Sequence, residues 1–79
     1  MNVYAFQDVK GAFMHPWLSE SDAAATRSFA MELENNSMMK KFPGDFRLWR
    51  IAEYDPKTAV IVPSHPIVHV VDATSILGA

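Results

Sequence analysis

Between Lys40 and Arg50 four cations, Lys40, Lys41, Arg47 and Arg50, meet a single anion, Asp45. Three aromatic residues, Phe42, Phe46 and Trp49, lie among them. Cations that hold phosphates and flat rings that accept unstacked bases are the two ingredients of sequence-independent single-strand binding. The bland alternative makes the rings core residues and the cations solvated strand edges. Residues 1–34 carry two basic and five acidic groups, residues 35–57 five basic and three acidic, and residues 58–79 only Asp72. A chain of net charge −2 thus gathers its positive charge in one segment. A generally basic nucleic-acid protein is excluded, and so is a disordered acidic tail.

Enzyme chemistry finds no comparable constellation. His65 and His69 lie on a Pro-interrupted extended segment, where four residues span about 13 Å, and no Cys or Glu stands near them to complete a metal site. Ser64 and His65 with Asp72 supply the residue types of a nucleophilic triad, but no Gly-flanked elbow presents the serine. The three glycines never form a phosphate-cradling loop. Asp8, Asp45 and Asp55 fall at strand ends or turns, where Asp serves local hydrogen bonding. The chain reads as non-enzymatic, with no cofactor, no metal and no small-molecule substrate.

The elements that must position the cluster follow from pattern. Asn2–Gln7 is β-branched and aromatic and predicts a strand ending at Asp8, with a turn at Lys10-Gly11. Ala12–Trp17, broken by Pro16, is at best an edge strand. Ser19 with Asp22 has the spacing of a capping box, and Ala25, Phe29 and Leu33 form one apolar stripe, which predicts a helix over 20–35. Ser37–Phe42 predicts one more helical turn capped by Ser37, stopped by Pro43-Gly44-Asp45. Phe46–Tyr54 predicts a central strand, with large apolar groups on both faces, and Asp55–Thr58 a hairpin connection to a strand over Ala59–Val62. Pro63–Pro66 reads as a second break before a last strand, Ile67–Val71. The expected fold is α+β: a small antiparallel sheet of three to five strands with one long helix packed on one face. It forms a single domain over 1–79, with residues 72–79 as a loosely ordered tail whose Ile76 and Leu77 can pack back on the domain.

With 79 residues and no cysteine, the chain has a thin core and no covalent staple, which points to self-association as a homodimer or higher assembly. A lone helix covers one side of a small sheet, and a second chain can cover the other. Apolar runs fall far short of the roughly 20 residues of a membrane span, and the first residues lack a signal-peptide pattern, so no membrane partner is expected.

The order of these blocks resembles the small nonstructural protein of gokushovirus-type microviruses, the Chlamydia-phage group of single-stranded DNA phages. The shared features are the aromatic strand Met1–Asp8, then Phe13-Met-His-Pro16-Trp17, then Ser21-Asp22-Ala23 followed by Ala25-Thr-Arg27-Ser-Phe29. The most specific is Pro43-Gly-Asp45-Phe46-Arg-Leu48-Trp49-Arg-Ile51-Ala52-Glu-Tyr54-Asp55. The resemblance covers about residues 1–62. Gly44 stands where the family often has an acid, and Thr58-Ala59 where it usually has Thr-Gly. The resemblance implies a bacteriophage nonstructural viral protein acting in DNA replication in the host cytoplasm, as a DNA-binding protein or a switch towards single-stranded progeny.

Two functions follow as expectations. One is direct single-stranded DNA binding through Lys40, Lys41, Arg47 and Trp49, with Phe42 as a second stacking group and Arg50 as a further cation. The other is a homodimeric adaptor that binds a replication or packaging protein. DNA binding asks for the cations on one exposed surface. The adaptor expects them paired with Glu53, Asp55 or the helix acids.

Overall fold

The structure is a computed structural model, and it describes residues 1–78. Its elements in chain order are β1 (Asn2–Asp8), β2 (Trp17–Ser19), α1 (Asp22–Asn35), α2 (Ser37–Lys41), a 3-10 turn (Pro43–Asp45), β3 (Phe46–Asp55), β4 (Val60–Asp72) and α3 (Ala73–Leu77). The four strands form one antiparallel sheet in the order β2-β1-β3-β4, so the expected α+β class with a small antiparallel sheet holds. Among the described residues one long helix, α1, is joined by two helices of five residues.

The core lies between α1 and the sheet. Ala25, Phe29 and Leu33, the stripe of α1, are fully buried with Tyr4, Leu48, Phe46 and Met39. Phe6 stacks on Phe29 at 4.8 Å between ring centroids and tilts against Trp17 at 4.6 Å. Such ring pairs add to the burial of their own area. Among the described residues the cluster under the helices reaches Leu48 on β3 and Val70 on β4, and beyond it Ala52 is buried together with its ladder partner Val3. The hairpin beyond those points projects past the helical layer. The radius of gyration is accordingly 12.7 Å, against about 11.6 Å for a compact chain of this length, and the molecule measures 40 × 22 × 17 Å.

Four local expectations are corrected. The cap of α1 is Ser21, whose hydroxyl accepts from the Ala24 N–H at 3.1 Å, while Ser19 ends β2 and is buried. Asn36, rather than Ser37, caps α2 by accepting from the Met38 and Met39 N–H groups. The edge strand after the first turn is shorter and later than Ala12–Trp17, because only Trp17–Ser19 pairs continuously with β1 and Phe13 makes an isolated bridge to Gln7. Finally, Pro63–Pro66 does not break the last strand. Ala52 pairs with Pro63 and Arg50 with Val68, so two steps along β3 match five along β4. The prolines are absorbed in a bulge on an edge strand, where missing N–H groups are tolerated.

The tail is helical where a loosely ordered segment was expected, and Ile76 packs back as expected. From Ala73 to Leu77 it forms α3, with Ala73 fully buried in the core and Ile76 packed against it. An alanine can enter where the chain turns off β4, and the burial then holds the last helix in place. Ala79 lies outside the described residues.

The β3–β4 turn places Ala59 at φ +62°, in the left-handed region, with the Thr58 and Ala59 N–H groups donating to the Asp55 carbonyl. A non-glycine residue there costs about 1–2 kcal/mol, part of which glycine returns as backbone entropy. Ala59→Gly is therefore expected to stabilise the fold by about 0.5–1 kcal/mol in urea denaturation. Phe29→Ala is expected to cost about 3–5 kcal/mol, while Met31→Ala, on the exposed side of the same helix, stays within about 0.5 kcal/mol.

Candidate nucleic-acid interface

The cations and rings between Lys40 and Arg50 are divided among three places. The division follows from sheet alternation and from the helix that precedes β3. Phe46 is core, at 3% exposure.

Arg50 faces the helical layer. It pairs with Tyr4 across the β1–β3 ladder, and its guanidinium lies 3.8 Å from a carboxylate oxygen of Asp22 at the start of α1. The Tyr4 hydroxyl donates to the same oxygen at 2.5 Å and accepts from the Asn2 side-chain amide at 3.0 Å. This is a packed network that ties β1, β3 and α1 together, and it occupies Arg50 with a helix acid. Burial, and then the hydrogen bond to Asp22, push the Tyr4 hydroxyl above its ordinary value of 10.0.

Arg47 and Trp49 stand on the opposite face. Directly paired residues of an antiparallel ladder share a face, and Trp49 pairs with Ala5 and His69, Arg47 with Gln7 and Asp72. The Trp49 indole N–H donates to the Gln7 side-chain carbonyl at 2.8 Å, and its ring meets His69 edge-on at 5.3 Å. Asp72 lies 2.7 Å from His69 and 3.5 Å from Arg47. The result is an ordered aromatic platform whose nearest cation already has an acid partner. Gln7, His69 and Asp72 were not singled out from sequence as neighbours of Trp49, because the β-bulge that brings them into register is invisible in the pattern.

Lys40, Lys41 and Phe42 lie at the end of α2, whose Met39 is buried under α1. They belong to the helical layer and thus do not share a face with Trp49. Phe42 is half exposed, and the Lys41 ammonium sits 5.7 Å from its ring centroid. Among the described residues neither lysine has an acid partner. The Val9 N–H donates to the Asp45 carbonyl at 2.9 Å, which brings the β1 turn to the same end of the molecule. Lys10 follows there, its own N–H turned onto the Asp8 carboxylate. Lys10 was missed because 30 residues separate it from Lys40.

The turn aspartates behave as local hydrogen bonders, Asp8 accepting from Lys10 and Asp55 from Lys57.

The family model of the phage ORF5 protein matches residues 1–76. The chain belongs to that family. It is a small phage-encoded protein, and among the described residues no helix is long and apolar enough to cross a membrane. No curated protein and no solved structure matches it.

The Tyr4 network makes a pH-dependent contribution to stability. A hydroxyl whose value is raised on folding keeps its proton in the native state after the unfolded chain has lost it. The stabilisation is present below about pH 10, the unfolded value, and is lost as pH rises through the folded value. Wild type is expected to lose stability between pH 9 and 11 more steeply than Tyr4→Phe, as read from urea midpoints. At pH 7 the same substitution is expected to cost about 1.5–3 kcal/mol, the range for a hydrogen bond to a charged group.

Proposed function

We propose that this phage ORF5 protein is a non-enzymatic, nonstructural protein of the gokushovirus type that binds single-stranded DNA during replication of the phage genome. The observation that carries the reading is the α2 end, where a half-exposed ring stands beside two lysines without acid partners among the described residues. Phe42 takes a base, and Lys40 and Lys41 take the flanking phosphates, with Lys10 as a third cation. Trp49 and Arg47 form a second stacking platform on the other face, weaker for phosphate because Asp72 competes for Arg47. Arg50 has no part in the contact, since Asp22 holds it. Asp8 and Asp45 lie at the same end as the lysines, so affinity is modest and falls with salt.

Contacts to about three phosphates of a single strand give a log–log salt slope near −2. In fluorescence anisotropy with labelled oligo-dT, Lys40→Ala with Lys41→Ala is expected to flatten that slope to about −0.7. Phe42→Ala is expected to weaken binding by about 1–3 kcal/mol without loss of fold, because the ring is exposed. Undiminished binding by the folded double-lysine variant would remove this site.

A second reading is supported by the pairing of Arg47 with Asp72 and of Arg50 with Asp22. Cations held by the chain's own acids suit an adaptor that contacts a replication or packaging protein. Absence of binding by wild type, even near about 20 mM salt where phosphate contacts are strongest, selects the adaptor.

A further inference from the structure

The start of β4, at the far end of the β3–β4 hairpin, is exposed. Val60, Ile61 and Val62 are 53, 59 and 59% exposed. Successive strand residues point to opposite faces, so this segment is bare on both faces as well as along its edge. β4 is an outer strand of the sheet, and it is long, whereas the other outer strand has three residues. One face of this arm opens into a groove of about 510 Å³ bordered by Met1, Tyr54, Val60 and Val62.

Natural sheets blunt such an edge with lysines or inward-pointing charges. From Val60 to Val71 this strand carries no Lys, Arg, Asp or Glu. The nearby charges, Glu53 and Asp55, sit one strand inward on β3, and Lys57 sits in the turn. The prolines that interrupt hydrogen bonding begin only at Pro63, after the exposed apolar triplet.

We propose that this arm is a self-association surface: the β4 edges of two copies of the chain pair antiparallel across a two-fold axis near Ile61, joining two four-stranded sheets into one of eight. The occupant is a second copy because the surface is complementary to itself. Antiparallel pairing about a two-fold axis places the same apolar, uncharged residues opposite each other, and it opposes no like charges along the seam. Each copy gives the other's Val60, Ile61 and Val62 apolar cross-strand neighbours along the seam and satisfies the outward N–H and C=O groups of the edge. The seam leaves the α2 end untouched, so the inference is independent of how that end functions.

The test uses the full chain in sedimentation velocity over a concentration series, with circular dichroism to verify folding. Wild type is expected to sediment at twice the mass of the 8.9 kDa chain. Ile61→Lys is expected to weaken dimerisation at least 100-fold with the strand signal retained, and Met31→Lys, equally exposed on α1, to leave it unchanged. The chain has no cysteine, so Ile61→Cys reports geometry directly. Directly opposed strand residues have Cα atoms about 4.5–5.5 Å apart, within disulfide reach, and mild oxidation is expected to give a covalent dimer for Ile61→Cys and none for Met31→Cys. A wild type that stays monomeric at high micromolar concentration overturns the proposal. So does a dimer that survives Ile61→Lys, or one lost in Met31→Lys.

Discussion

A 14-residue helix rises about 21 Å, while the 10 and 13 residues of β3 and β4 extend about 33 and 43 Å. That mismatch governs the molecule. Phe29, seated against Phe6 and flanked by Ala25 and Leu33, fixes the helix over the half of the sheet that holds Tyr4, Phe46 and Leu48. α2 and α3 close around the same half, through Met39 and Ala73. Val60, Ile61 and Val62, beyond the reach of the helices, stay exposed on the hairpin. A chain of this size has no second helix of comparable length among its described residues to place there.

The same seating decides which cations are available. Because α1 begins beside the middle of β1 and β3, Asp22 arrives at Tyr4 and Arg50: Asn2, Tyr4 and Asp22 form one hydrogen-bonded chain, and Arg50 joins it as an ion pair with Asp22. An arginine used in this way anchors the start of the helix to two strands. On the opposite face no helix intervenes, and Trp49 is oriented by Gln7 and His69 instead. The lysines of α2, attached to the layer by Met39, keep their charge free of acids among the described residues, as do Lys10, Arg27 and Lys57.

The main elements were legible because their periods are strong: the every-fourth-residue stripe of α1, the alternation of β3 and the Asp-Pro turn after it. Register was not. The extra residues between Pro63 and Val68, and the irregularity where Tyr4 meets Arg50 and Val3 meets Ala52, depend on which strand lies alongside, and that is a property of the fold. Counting alternation along β3 correctly separates Arg47 and Trp49 from Arg50. It cannot say that Asp72 returns to Arg47, or that Lys10 comes to the end where α2 stops. Proline pattern misled at Pro63–Pro66, since an outer strand accepts residues that a central one rejects. The Thr58-Ala59 turn gains a physical meaning only with the backbone angle in hand: Ala59 stands at a position where a side chain is strained.

The basic end and the bare hairpin tip lie at opposite poles of a 40 Å axis, because β3 runs from one to the other. Two chains joined at their tips as proposed would therefore hold their lysine ends far apart and facing away from each other. Such a particle, with the proposed strand contact at each end, would be a bivalent ligand for a flexible polymer. A contact too weak to persist alone becomes durable when a second, tethered contact rebinds faster than the first is lost, and avidity of this kind is worth about 10²–10⁴ in apparent affinity. In the proposed role it also converts a binder into a tie between distant stretches of one strand, which would bring the shape of the nucleic acid, and not only its occupancy, under the control of a chain with very few charges to spare.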